Sequence, residues 1–100
     1  MDLTESQKKY LRGLSHQLKP VITIADAGLS VSLLKEFNST IDHHELIKVR
    51  VRSGDRATRD ATIEALCGTA KAELVARVGN VALLYRRNQE KQKIPMPVSK

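Results

Sequence analysis

From Glu45 to Arg52 the chain alternates strictly, with Ile47, Val49 and Val51 on one side and Lys48, Arg50 and Arg52 on the other. A period of two belongs to a β-strand with one face in a core and one in water. Earlier in the chain, Val21 to Ile24 is a short run, apolar or β-branched throughout, bounded by Pro20 and by the turn Asp26-Ala27-Gly28. It predicts a second, buried strand. Between the two, Ser30 can cap a helix whose apolar stripe is Val31, Leu34, Phe37 and Ile41, ending around residues 42–44. Strand, helix, strand with a crossover of this length implies a right-handed parallel unit.

The remaining segments attach to this unit. Thr4 followed by Gln7 is a capping-box pattern, and Tyr10, Leu11, Leu14 and Leu18 recur at helical spacing until Pro20 stops the helix. Lys8, Lys9, Arg12 and His16 fall together beside that stripe. After the turn Ser53-Gly54-Asp55, Ile63, Leu66, Cys67 and Ala70 mark a third helix that Asp55 can cap. Residues 73–78 and 81–86 flank Gly79-Asn80, a two-residue hairpin signal. The order α-β-α-β-α-β-β predicts an α/β fold of the α+β, two-layer kind. Its four-stranded mixed sheet would carry helices mainly on one face, with the first helix at an edge or end. One domain should span residues 1–87, and residues 88–100, polar and basic with Pro95 and Pro97, should form a loose tail.

Charge and composition narrow the function. Seventeen Lys and Arg against eleven Asp and Glu give +6, of which +4 falls from Arg86 onward. That balance favours nucleic acid, an anionic surface or an acidic partner. Three aromatic residues, Tyr10, Phe37 and Tyr85, are too few for a row of base-stacking platforms. A single Cys67 forms no intramolecular disulfide and offers no Cys-pair zinc site. The N-terminus lacks a secretory pattern, and no apolar run approaches the ~20 residues of a membrane span, so a cytoplasmic protein is expected.

Lys48, Arg50 and Arg52 would stand on the open side of the sheet roughly 6.6 to 6.8 Å apart. That spacing suits successive phosphates, although an edge strand guarded by positive charge has the same pattern. Gly28 permits an unusual backbone angle before a helix start, where backbone N–H groups attract anions; on composition alone it is a simple connection. His43 and His44 are adjacent and lack the i, i+4 spacing that puts two imidazoles on one metal, so they read as helix-end contact residues. Asp55, Asp60 and Glu64 beside Arg56 and Arg59 read as surface pairing and dipole compensation. No nucleophile, acid–base or metal constellation stands out, so neither an enzyme nor a cofactor is expected.

Four separated runs carry a resemblance: Leu11-Arg12-Gly13-Leu14-Ser15-His16-Gln17-Leu18-Lys19-Pro20-Val21, Ala27-Gly28-Leu29-Ser30, His43-His44-Glu45-Leu46-Ile47-Lys48-Val49 and Val81-Ala82-Leu83-Leu84-Tyr85-Arg86. Together they resemble the YhbY family, small bacterial proteins of the CRM (chloroplast RNA splicing and ribosome maturation) type. The resemblance implies a fold similar to the C-terminal domain of the third bacterial translation initiation factor. It also implies RNA binding, association with precursors of the large ribosomal subunit, and no catalytic activity. In the family a Gly-x-x-Gly loop, likened to the backbone-clamping loop of KH domains, joins the first strand to the next helix. Here it is Ala25-Asp26-Ala27-Gly28, with Ala25 in place of the first glycine and Asp26 opposing phosphate.

The resulting expectation is a monomeric RNA-binding module whose partner is ribosomal RNA of the large-subunit precursor, with no membrane and no small-molecule substrate. Phosphate contacts would come from Lys8, Arg12, Lys19, Lys35, Lys48, Arg50 and Arg52, and backbone contacts from Ala25, Asp26, Ala27, Gly28 and Leu29. The competing expectation is an adaptor that docks on ribosomal or acidic proteins, with RNA binding incidental.

Overall fold

The computed structural model describes residues 3–25, 28–52, 54–88 and 90–94. Three helices and four strands follow in the expected order: α1 (Glu5–Ser15), β1 (Pro20–Ile24), α2 (Val31–His44), β2 (Leu46–Val51), α3 (Arg56–Ala70), β3 (Glu73–Val78) and β4 (Val81–Tyr85). Each helix starts at the residue suited to start it. Thr4 and Gln7 form a reciprocal capping box on α1, the Ser30 hydroxyl accepts from the Leu33 N–H, and the Asp55 carboxylate accepts from the Thr58 N–H.

The sheet order is β1-β2-β4-β3, with β1 parallel to β2 and the other two pairs antiparallel. Gly79, at φ +59, makes the tight turn between β3 and β4. One face of the sheet carries the main core, where Ile22, Ile24, Ile47, Val49, Val51, Ala82 and Leu84 meet Phe37 and Ile41 of α2 and Ile63, Leu66 and Ala70 of α3. These are the alternate positions of each strand, so the period of two in β2 is set by this core.

Helix α1 does not sit at an edge or end. It lies on the opposite face, where Leu11 joins Leu3, Leu46, Val75, Leu83 and Tyr85 in a second cluster. Its buried line is Gln7, Leu11 and Ser15, while Tyr10 and Leu14, expected in the apolar stripe, are 39% and 40% exposed. A helix laid flat on a sheet buries a narrow i, i+4 line, and the flanking apolar residues stay at the margin. β1 differs from expectation as well. It is an edge strand, buried only at Ile22 and Ile24, with Val21 half-exposed because α1 does not reach over it. Val31, placed in the α2 stripe by its spacing, is 72% exposed.

The chain after β4 turns back onto the domain. The buried Glu45 carboxylate accepts hydrogen bonds from the Asn88, Lys93 and Ile94 N–H groups at 2.6, 2.8 and 2.6 Å. Ile94 packs against the α1 cluster. Of the segment expected to be a loose tail, the described part is therefore tied to the α2–β2 junction; residues 95–100 lie outside the described residues.

Candidate nucleic-acid interface

Because β1 and β2 run parallel, both finish at one rim of the sheet, and the helices that follow them start there. The Arg52 N–H donates to the Ile24 carbonyl at 2.8 Å, which sets Arg52 against the end of β1. Just beyond, Gly28 adopts φ +72 and donates its N–H to the Ala25 carbonyl at 2.9 Å. Gly28 occupies the left-handed region in which a Cβ costs about 1 kcal/mol or more. Asp26 and Ala27 lie outside the described residues. Leu29 packs its side chain on the main core, so the turn is anchored at the point where α2 begins.

The two helix starts at this rim differ in charge. The acidic Asp55 already caps α3, and its hydrogen bonds from Thr58 hold its carboxyl below the ordinary aspartate value. At α2 the cap is the neutral Ser30 hydroxyl. An external anion is therefore better accommodated at the start of α2, beside Gly28, than at that of α3.

On the α1 face of the sheet a groove of about 370 Å³ opens between the end of α1 and the uncovered strands. Its walls include Arg12, His16, Lys48 and Arg50, and its floor is apolar, formed by Pro20, Ala76, Val78, Val81 and Leu83. Cross-strand pairing explains the arrangement. Lys48 lies opposite Leu83, and Arg50 lies opposite Val81 on one side and Thr23 on the other.

The row Lys48, Arg50 and Arg52, on β2 and just past its end, is thus not uniformly open. The Lys48 ammonium, half-buried, donates to the Leu18 carbonyl at 3.1 Å and ties the α1–β1 connection to the sheet. Arg50 and Arg52 are exposed. Arg12 joins Lys48 and Arg50 at the groove, and Arg52 joins Ala25 and Gly28 at the rim. Lys8 is half-buried on α1 and Lys19 exposed in the connection; neither lines the groove. Lys35 is exposed on α2, in the layer on the other side of the sheet.

Only Arg12, Lys48 and Arg50 of the groove lining belong to the residues that the sequence predicts for RNA contact. His16, beside Arg12 on the helix arc, and Val78 and Val81 of the hairpin also line it. Val78 is 79% exposed, which an apolar residue next to a tight turn could have signalled.

Other polar groups serve the fold. The Arg86 guanidinium donates to Asn38, Asp42 and the Ala70 carbonyl, joining β4 to α2 and to the end of α3. His43 and His44, adjacent in sequence, touch edge to face with ring centroids 4.7 Å apart. Burial and then Glu73 push the Cys67 thiol up, which keeps it in its unreactive protonated form.

Comparison with known proteins gives the family of the chain. The chain matches the CRS1 / YhbY (CRM) domain over residues 3–86. It is 40% identical over 95 residues to a Haemophilus influenzae protein named as RNA-binding, with 95% of each chain covered. A Pseudomonas aeruginosa protein also named for RNA binding is 39% identical over 93 residues, covering 93% of this chain and 89% of that one. The solution structure of a hypothetical Staphylococcus aureus protein, described as a candidate RNA binder, is similar with a TM-score of 0.80 at 32% identity, covering 96% of this chain and 100% of that one. The matched run of sequence and the shared fold extend over nearly the whole chain, and the protein belongs to the CRS1 / YhbY (CRM) domain family.

Proposed function

We propose that this chain binds RNA without catalysing a reaction, and that in the cytoplasm it associates with precursors of the large ribosomal subunit as an assembly factor. The observation that carries the reading is the adjacency of Arg52 to the end of β1. It brings the exposed cations of β2 into line with the Gly28 turn and the start of α2. RNA would lie with its backbone over that rim, Arg50 and Arg52 neutralising phosphates and the amides after Gly28 accepting a close approach. Arg12 and His16 border the same path, and the apolar groove floor offers a surface for an unstacked base or ribose. Each neutralised phosphate releases counterions, so affinity should fall steeply with salt.

Few aromatic residues and many backbone-directed cations favour recognition of shape over sequence. The names of the relatives support RNA as the ligand. Crosslinking of the protein in cells, followed by mapping on ribosomal RNA and on the protein, tests target and surface together. The expected result is crosslinks to large-subunit RNA from the β2 rim and the Gly28 turn. Crosslinks confined to ribosomal proteins would replace this reading with that of an adaptor.

A further inference from the structure

The sheet rim that holds the Gly28 turn continues past β2 to the β3–β4 turn, because the Val51 N–H donates to the Asn80 carbonyl at 2.7 Å. There, Arg56 and Arg59 from the first turns of α3 and Arg77 from β3 line an open cavity of about 550 Å³ with Gly79 and Asn80. Among the described residues no carboxylate lines this cavity. Two acids stand nearby. Asp60 pairs with the pocket's own Arg77, and Asp55, exposed, caps α3 by accepting from the Thr58 N–H.

The arginines are held in place. The Arg59 Nη1 donates to the Gly54 carbonyl at 2.9 Å, and its buried Nε has no hydrogen-bond partner among the described residues. Arg77 keeps only 22% of its side chain exposed while paired to Asp60. Two pre-positioned guanidinium groups and an exposed third, Arg56, form a donor-rich pocket, and planar guanidinium forks suit phosphate oxygens.

We propose that this three-arginine pocket is a second phosphate site, which takes a phosphodiester of the RNA whose backbone also crosses the Gly28 turn; the inference rests on the RNA-binding reading. With strands about 4.8 Å apart, the rim from β1 to β3 spans about 14 Å, the reach of a few nucleotides. The pocket extends the footprint across the full width of the sheet. It also gives the Arg56 and Arg59 charges a use beyond pairing with neighbouring acids.

Two measurements decide it. In the first, inorganic phosphate is titrated into the 15N-labelled protein. The amides of Gly79 and Asn80 and the side-chain N–H of Arg59 should shift saturably, and the shifts should vanish in Arg56→Gln/Arg77→Gln. In the second, fluorescence anisotropy with a structured large-subunit RNA fragment compares wild type with Arg56→Gln/Arg59→Gln/Arg77→Gln across salt. Removing this one phosphate contact should lower affinity several-fold and reduce the salt slope by about 0.7 to 0.9.

If Arg59→Gln unfolds the chain by losing its bond to Gly54, the Arg56→Gln/Arg77→Gln pair serves in its place. Unchanged affinity and slope in a folded variant overturn the pocket while leaving RNA binding intact. Should wild type bind no RNA, the RNA-binding reading fails; absence of the phosphate shifts then overturns the pocket too, and their presence retains it as an anion site.

Discussion

Glu45 occupies a backbone position, φ 64 and ψ −41, that few side chains adopt, and its side chain is buried. The N–H of this residue closes α2 on the Ile41 carbonyl, its C=O accepts from Arg86, and its carboxylate gathers three further N–H groups from the returning chain. A buried carboxylate is tolerated when its oxygens are satisfied in this way, and charge-assisted bonds are the stronger kind. Glu45→Gln turns one acceptor oxygen into an NH2 that faces N–H donors. It should destabilise the fold by about 2 to 3 kcal/mol in urea denaturation and speed amide exchange at residues 88–94. Beside it the Tyr85 hydroxyl is buried, with no hydrogen-bond partner among the described residues. Burial, then the negative charge of Glu45, raise its pKa above the ordinary value of 10. The tyrosine is neutral in both folded and unfolded chains below pH 10, and above it the unfolded chain loses its proton first. Stability should therefore decline as pH rises from 10 through the raised value, and Tyr85→Phe, near neutral at pH 7, should remove that part of the decline in melts taken at successive pH values.

Among the elements, the turn from β1 into α2 carries the most function for its length. Among the described residues nothing lies within 4 Å of where an alanine Cβ would sit at Gly28, so Gly28→Ala is opposed there by conformation. It should cost about 1 kcal/mol of stability and weaken RNA binding by disturbing the amides at the helix start. Ala25→Gly, which restores the first glycine of the family's loop, should leave RNA affinity equal or greater in an anisotropy titration. A clear loss with the fold intact would contradict the reading that the missing glycine loosens the loop's hold on RNA. Most elements were legible because each has its own signal: caps at Thr4, Ser30 and Asp55, alternation in β2, and Gly79-Asn80 between β3 and β4. What escaped depends on contacts between distant segments. The spacing of Tyr10, Leu11, Leu14 and Leu18 defines a helical stripe without revealing that the sheet buries only its Leu11 line. For Glu45, the visible clue was a helix that ends without the glycine usually found at a left-handed cap.

At the scale of the molecule, α2 and α3 cover one face of the sheet and α1 covers part of the other. This leaves a groove on that second face open beside the end of α1, lined by all four strands. The placement separates cations that the sequence presents as equals. Lys48 is engaged with the Leu18 carbonyl, Lys35 stands behind the sheet, and Arg12, Arg50 and Arg52 remain free to face a ligand on the open side. The alternating pattern of β2 showed which residues share a face; how far α1 would cover that face was set by Leu11 meeting Leu46, Val75 and Leu83, residues far apart in the chain. The most direct test is a fluorescence anisotropy titration of wild type and Arg12→Gln/Arg50→Gln/Arg52→Gln with a structured large-subunit RNA fragment from low to high salt. Wild type should bind with an affinity that falls steeply as salt rises, and the variant, equally stable, should bind at least tenfold more weakly with a salt slope smaller by about 2. Equal affinity and equal slope in the two proteins would contradict the assignment of RNA to this face.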